Sequence, residues 1–82
     1  MTGSVVAINS NRGMVGVLTE NGDYSVFELL GSDEVEVGDD ISWTGDTPLG
    51  GNTVQNETRA EAFDVFFQNH VSKSRLHDQL LF

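Results

Sequence analysis

The sequence predicts a mainly β fold: a small antiparallel barrel of five strands, followed by a C-terminal extension. Short runs rich in β-branched and aromatic residues recur from Gly3 to Thr58, and turn residues separate them at regular intervals. The lone proline and a glycine pair fall together in one loop. A chain of 82 residues suits one domain with a small core.

The first strand is Ser4 to Asn9, where Val5, Val6 and Ile8 precede the polar turn Asn9-Ser10-Asn11. Gly13 reverses the chain into Met14 to Thr19. Gly16 lacks a side chain inside that strand, a sign of a bulge or strong bend. Asn21-Gly22 suits a tight hairpin turn, so Tyr24 to Leu29 returns antiparallel. After the loop Gly31-Ser32-Asp33-Glu34, the run from Val35 to Trp43 leads into a fourth strand, Asp40 to Thr44. Asp46 to Asn52 is the longest loop, and Thr53 to Glu57 is the fifth strand.

Arg59 to Phe82 contains no glycine or proline and admits two readings. As a helix, it is capped by Thr58 with Glu61 closing a capping box, and it gathers Ala60, Phe63, Phe67, His70 and Val71 on one face. As a sixth strand pairing with the fifth, it sets Phe63, Val65 and Phe67 against Asp64, Phe66 and Gln68. The Val-Phe-Phe run inclines the balance to strand for Ala62 to Gln68. Beyond it, Ser72 or Ser74 caps a short terminal helix whose Leu76, Leu80 and Leu81 form an apolar stripe for docking on the barrel. The expected organisation is a barrel over 1–58 and an extension over 59–82 packed on it as one domain.

Charge is unevenly spread. Residues 1–58 hold ten acids and one base, Arg12, whereas residues 59–82 hold three of each, so the net charge of −9 belongs to the barrel. Such a surface repels phosphate and anionic lipid and attracts cationic partners. With no cysteine, there is neither a disulfide nor a thiolate site. The first residues lack a secretory pattern and no apolar run reaches membrane length, so a soluble cytoplasmic protein is the expectation. The sequon Asn56-Glu57-Thr58 reads as chance.

Residues 3 to 58 resemble a cold-shock domain, the OB-type barrel that binds single-stranded RNA and DNA. Gly3 to Asn9 is similar to that family's opening strand, Arg12-Gly13 with Gly16 to its first nucleic-acid motif, and Val26-Phe27 to its second. Val37-Gly38-Asp39-Asp40-Ile41-Ser42-Trp43 resembles the approach to its fourth strand, and Gly50-Gly51-Asn52-Thr53-Val54 its final strand. The resemblance implies a face on which bases stack, yet most of the aromatics are replaced: Gly13-Met14-Val15-Gly16-Val17 stands at the first motif, Val6-Ala7 in the opening strand, and Glu28 follows Phe27. Each stacking platform is worth about 1–3 kcal/mol per base, so their loss costs orders of magnitude in affinity.

The favoured function is accordingly a non-catalytic module for protein interaction. Its candidate residues are the acidic Asp33, Glu34 and Glu36 and the terminal apolar triplet Leu80, Leu81 and Phe82, facing a cationic or apolar partner. The alternative is weak single-stranded nucleic-acid binding through Arg12, Met14, Tyr24 and Phe27. Phe27 in a half-buried strand is more often a core aromatic, Tyr24 more commonly a cover for the barrel mouth, and Trp43 core. His70 and His77 lack a third ligand for a metal, the acids lack calcium-loop spacing, and no nucleophile or phosphate-loop motif occurs, so no cofactor, metal or enzymatic activity is expected.

Overall fold

The computed structural model describes residues 1–31, 34–45 and 50–71, the last three as strand backbone. Six strands are present among them: β1 (Thr2–Asn9), β2 (Met14–Thr19), β3 (Tyr24–Leu29), β4 (Asp40–Ser42), β5 (Gly50–Asn56) and β6 (Glu61–Val71). All pair antiparallel in one sheet of order β1-β2-β3-β6-β5-β4, and β4 pairs back onto β1, which closes the barrel.

The expectation of a five-stranded barrel is corrected at β6. Rather than covering an edge, this strand is a stave, paired along β5 from Asn56↔Glu61 to Gly50↔Phe67 and along β3 from Leu29↔Val65 to Tyr24↔Val71. The helical alternative for Ala60 to Val71 is excluded by that pairing. Phe63, Val65 and Phe67 point into the core at 6%, 0% and 1% exposure, whereas Asp64, Phe66 and Gln68 alternate outward. A helix would have set Phe63 and Phe67 on one face but lost Val65 from the interior. Thr58 does not cap a helix either; its Oγ1 accepts a hydrogen bond from the Asp40 N–H at 2.9 Å, tying the β5–β6 turn to β4. The proposed terminal helix, with Ser72, Ser74, Leu76, His77, Leu80, Leu81 and Phe82, lies outside the described residues, as does Asp33.

The interior is filled by alternate residues of every strand: Val5, Val15, Val17, Phe27, Ile41, Val54, Phe63, Val65 and Phe67, with Trp43 just past β4. Phe67 is its centre. Its ring meets Phe27 edge-on at 5.4 Å between centroids and lies tilted against Trp43 at 5.2 Å, the offset geometry aromatic quadrupoles favour. Burying each of these large side chains contributes roughly 1.5–3 kcal/mol, which in a domain this small makes the aromatic trio a large share of the driving force.

Two irregularities bend the sheet. The β1–β2 register slips between Val5 and Ala7, so Val6 is the extra residue opposite the Val17–Gly16 step. The bulge expected near Gly16 is thus carried by its partner strand. The second lies between β3 and β6, where Val26 and Phe27 face Asn69 and Phe67 and leave Gln68 unmatched. Extra residues increase local twist, which a short sheet needs in order to close.

Two backbone positions carry testable strain. Gly3 packs so tightly against β2 that a Cβ there would sit 2.5 Å from the Leu18 carbonyl oxygen and 2.6 Å from Val17 Cγ1. Gly3→Ala is expected to lower stability by about 1–3 kcal/mol, read as a fall in the urea midpoint. Ala60, by contrast, holds a φ of 54° in the β5–β6 turn, a left-handed conformation that disfavours a side chain. Ala60→Gly is expected to raise stability by up to about 1 kcal/mol in the same assay, and a loss would show that this turn is not strained.

Candidate binding surface

Because side chains alternate along each strand, the barrel presents an outer wall of residues that the core did not claim. That wall has two halves of opposite character.

The first half runs over β1, β4, β5 and the start of β6, and it is built from hydroxyls paired with carboxylates. Thr2 Oγ1 donates to Glu20 Oε1 at 3.5 Å, and the Thr2 N–H donates to the same atom at 2.9 Å. Ser4 Oγ donates to Asp40 Oδ1 at 3.1 Å, Ser42 Oγ to Glu57 Oε1 at 2.7 Å, and Thr53 Oγ1 to Asp64 Oδ1 at 2.7 Å. All four carboxylate residues are exposed. Asp40 and Glu57 continue the Ile41↔Asn56 register as a cross-strand pair, with the Glu57 N–H donating to the Asp40 carbonyl at 2.8 Å. Like charges placed opposite one another cost stability, and a hydroxyl donor to each only softens the repulsion. Glu20, Asp40 and Glu57 line one shallow groove with Ser4 and Leu18.

The basic residues described are placed elsewhere. Arg12 is exposed in the β1–β2 turn, at the opposite end of β1 from Thr2 and Glu20. Arg59 is engaged by its own network: Nε donates to Asp39 Oδ2 at 3.0 Å, and Nη2 lies 3.2 Å from Glu36 Oε2. The same Asp39 oxygen accepts the Asn56 amide at 2.9 Å and the Glu36 N–H at 3.0 Å. Glu34 and Glu36 are exposed at the rim beside this network. Glu36 therefore acts partly within its own protein, holding Arg59.

The second half of the wall covers β2 and β3 and is apolar. Met14, Tyr24 and Val26 form a cluster apart from the interior core, with Ala7 against it. This half contains two of the four residues expected to contact nucleic acid, and both are buried: Met14 is 4% and Tyr24 8% exposed. Phe27 points the other way and is fully buried in the interior core, the more common place for such an aromatic. Arg12 stands apart in its turn. Glu28 shares the outer face through the register Met14↔Glu28 and accepts a weak 3.4 Å hydrogen bond from Gln68. Phe66, 43% exposed, is the outward aromatic of this region, and it stands opposite Glu28.

The residues that sequence reasoning passed over as interaction candidates are Glu20, Asp40, Glu57 and Asp64. Their signal was alternation, because Asp40 and Ser42 occupy outward positions of β4, Thr53 and Gln55 those of β5, and Glu57 continues the latter just past Asn56; but joining them across strands requires the register. Among the described residues, no group of three or more His, Cys, Asp or Glu side chains is arranged to hold a metal ion. No family model matches the chain, and neither a curated protein nor a solved structure matches it at a significant level.

Asp39 supplies a pH prediction. The Asn56 amide first, then the Glu36 N–H and the Arg59 guanidinium, hold its carboxyl below its ordinary 3.8, against an opposing effect of burial. A carboxyl that binds its proton less readily when folded stabilises the fold fully above about pH 4, and that contribution drains as pH falls through the lowered value. The stability gap between the native protein and Asp39→Asn, measured by urea denaturation, is expected to be widest near neutral pH and to shrink steadily below pH 4. A gap that stays constant with pH would remove the carboxylate from this role.

Proposed function

We propose that this chain is a non-catalytic binding module of the OB type, which receives a cationic segment of a partner protein on the acidic wall of β1, β4 and β5. The observation that carries the reading is the run of four hydroxyl–carboxylate pairs, with the facing carboxylates Asp40 and Glu57 among them and no lysine or arginine side chain on this wall among the described residues; the amino-terminal ammonium of Met1, at its edge, donates to the Trp43 carbonyl at 2.9 Å. Negative charge concentrated on one exposed face and left uncompensated lowers stability, and a Lys- or Arg-rich partner recovers that energy on binding. The hydroxyls orient the carboxylate oxygens and so reduce the ordering cost of contact.

Single-stranded nucleic-acid binding is the competing reading, implied by the cold-shock resemblance. Burial of Met14 and Tyr24, the interior position of Phe27 and the carboxylate of Glu28 on the same face all weigh against it. Among the described residues, the partial exposure of Phe66 leaves a single platform where stacking modules use several.

The test is an amide chemical-shift titration of the isotope-labelled protein at low salt, once with a lysine- and arginine-rich peptide and once with a pyrimidine-rich single-stranded oligonucleotide. The peptide is expected to move Thr2, Ser4, Asp40 to Ser42 and Thr53 to Glu57, with shifts that fade as salt is added. The double substitution Asp40→Asn with Glu57→Gln should weaken binding by roughly two- to thirty-fold, the range expected for loss of two exposed ion pairs. Saturable oligonucleotide shifts at Arg12 to Val17 and Tyr24 to Glu28, with none from the peptide, would overturn the proposal in favour of its competitor.

A further inference from the structure

Strand β6 is the seam between the two halves of the outer wall. Its outward row is Asp64, Phe66 and Gln68, with the exposed Gly51 and Thr53 of β5 on one side and Glu28 of β3 on the other. A single exposed phenylalanine needs no explanation by itself. What sets Phe66 apart is its frame. The register places Glu28 directly opposite it on β3 and Gly51 directly opposite it on β5, and residues so paired keep their Cβ atoms about 4.5–5.5 Å apart. Asp64 is the next outward residue along β6, about 7 Å away. Both carboxylates therefore stand within a side chain's reach of a group laid on the ring. They accept hydrogen bonds from neutral donors, Glu28 from Gln68 at 3.4 Å and Asp64 from Thr53 at 2.7 Å, and neither has an ion pair among the described residues.

Gly51 supplies the access. It is not among the glycines with positive φ, and a Cβ built there would meet no described atom within 4 Å. Neither backbone conformation nor crowding calls for glycine at this position, and glycine inside a strand weakens it; such a residue often marks the close approach of a ligand. The flank of the Phe66 ring toward β5 is thus open, and a shallow groove lined by Leu30, Gly51, Thr53 and Asp64 crosses β6 next to it. We infer that this frame is an arginine subsite: the guanidinium of a partner protein stacks on the Phe66 ring over Gly51 and takes Glu28 or Asp64 as its counter-ion. The subsite rests on the proposed cationic partner and names the side chain that partner presents. A planar, weakly hydrated guanidinium stacks on an aromatic face while its edge donates to a carboxylate, a combination that the compact, strongly hydrated ammonium of lysine lacks. Leu30, 58% exposed in the same groove, offers an apolar bed for the methylene stem. A nucleobase also fits an aromatic platform, but its phosphates would meet the two carboxylates.

Hexa-arginine and hexa-lysine carry the same side-chain charge and so separate the subsite from the acidic wall. Titrated into the isotope-labelled protein at low salt, hexa-arginine is expected to shift the Glu28, Gly51 and Phe66 amides, and its own methylene protons should move upfield in the ring current. Hexa-lysine is expected to shift the acidic wall alone. Phe66→Leu keeps the apolar surface and removes the ring; it should weaken hexa-arginine binding by about two- to five-fold, the worth of an exposed cation–π contact, and leave hexa-lysine unchanged. Gly51→Val fills the open flank and should abolish the upfield shift while the rest of the amide spectrum stays native. Equal shifts from both peptides confined to β1, β4 and β5 would overturn the subsite and leave the proposed function standing, whereas binding by neither peptide would overturn both. Shifts at Gly51 and Phe66 from a pyrimidine-rich oligonucleotide, absent with hexa-arginine, would reassign the ring to base stacking and overturn the subsite as well.

Discussion

One carboxylate oxygen joins the parts of this barrel that are hardest to close. Asp39 Oδ2 accepts hydrogen bonds from the loop before β4 through the Glu36 N–H, from β5 through Asn56, and from the β5–β6 turn through Arg59. The Asp39 carbonyl accepts from the Val5 N–H of β1 at 2.9 Å, and Gly38 donates back to Val5 at 2.8 Å. Asn56, fully buried, uses its own carbonyl oxygen to accept the Thr58 and Arg59 N–H groups. A strand of only three residues, β4, thus sits between β1 and β5 with little ladder of its own and is held by this junction. Without it, the Asn56 amide N–H group would be a buried donor lacking its acceptor, at a cost of about 1–3 kcal/mol.

Closure at β4 makes the alternation of side chains decisive on both faces. Inside, valines and the Phe27, Phe67 and Trp43 rings pack against one another as a continuous core. On the outside, β1, β4 and β5 display hydroxyls and carboxylates and β2 and β3 display apolar groups. The halves also differ in exposure, as the burial of Val26 beside the exposure of Gln55 shows.

Strand identity was largely legible. Met14–Thr19 and Tyr24–Leu29 follow directly from β-branched runs bracketed by Gly13 and Asn21-Gly22, and in the latter turn Gly22 takes a φ of +86° while Asn21 keeps a negative one. The Val-Phe-Phe run likewise favoured the strand that became β6. The pairing of β6 with β5 was legible, but its second pairing, with β3, was not, because that partner is distant in sequence and the pattern of one strand does not name such a neighbour. For the same reason the sixth stave displaced the five-stranded closure implied by the resemblance. Phe27 shows a further limit: its neighbourhood of alternating residues allowed either face, and only the register with β2 and β6 turned it inward.

The sequence by itself determined the β class, the turns, the absence of thiol chemistry and the concentration of negative charge before Thr58, since each follows from local conformational preference or from composition. Tertiary structure alone decided that Asp39 is a structural anchor while Asp40, one residue later, faces solvent opposite Glu57, and that Met14 and Tyr24 are covered while Thr53 and Glu57 are not. The physical reason is that adjacent strand residues point to opposite sides of the sheet. A carboxylate's role is then set by closure of the barrel, through the partners that register brings within hydrogen-bonding distance.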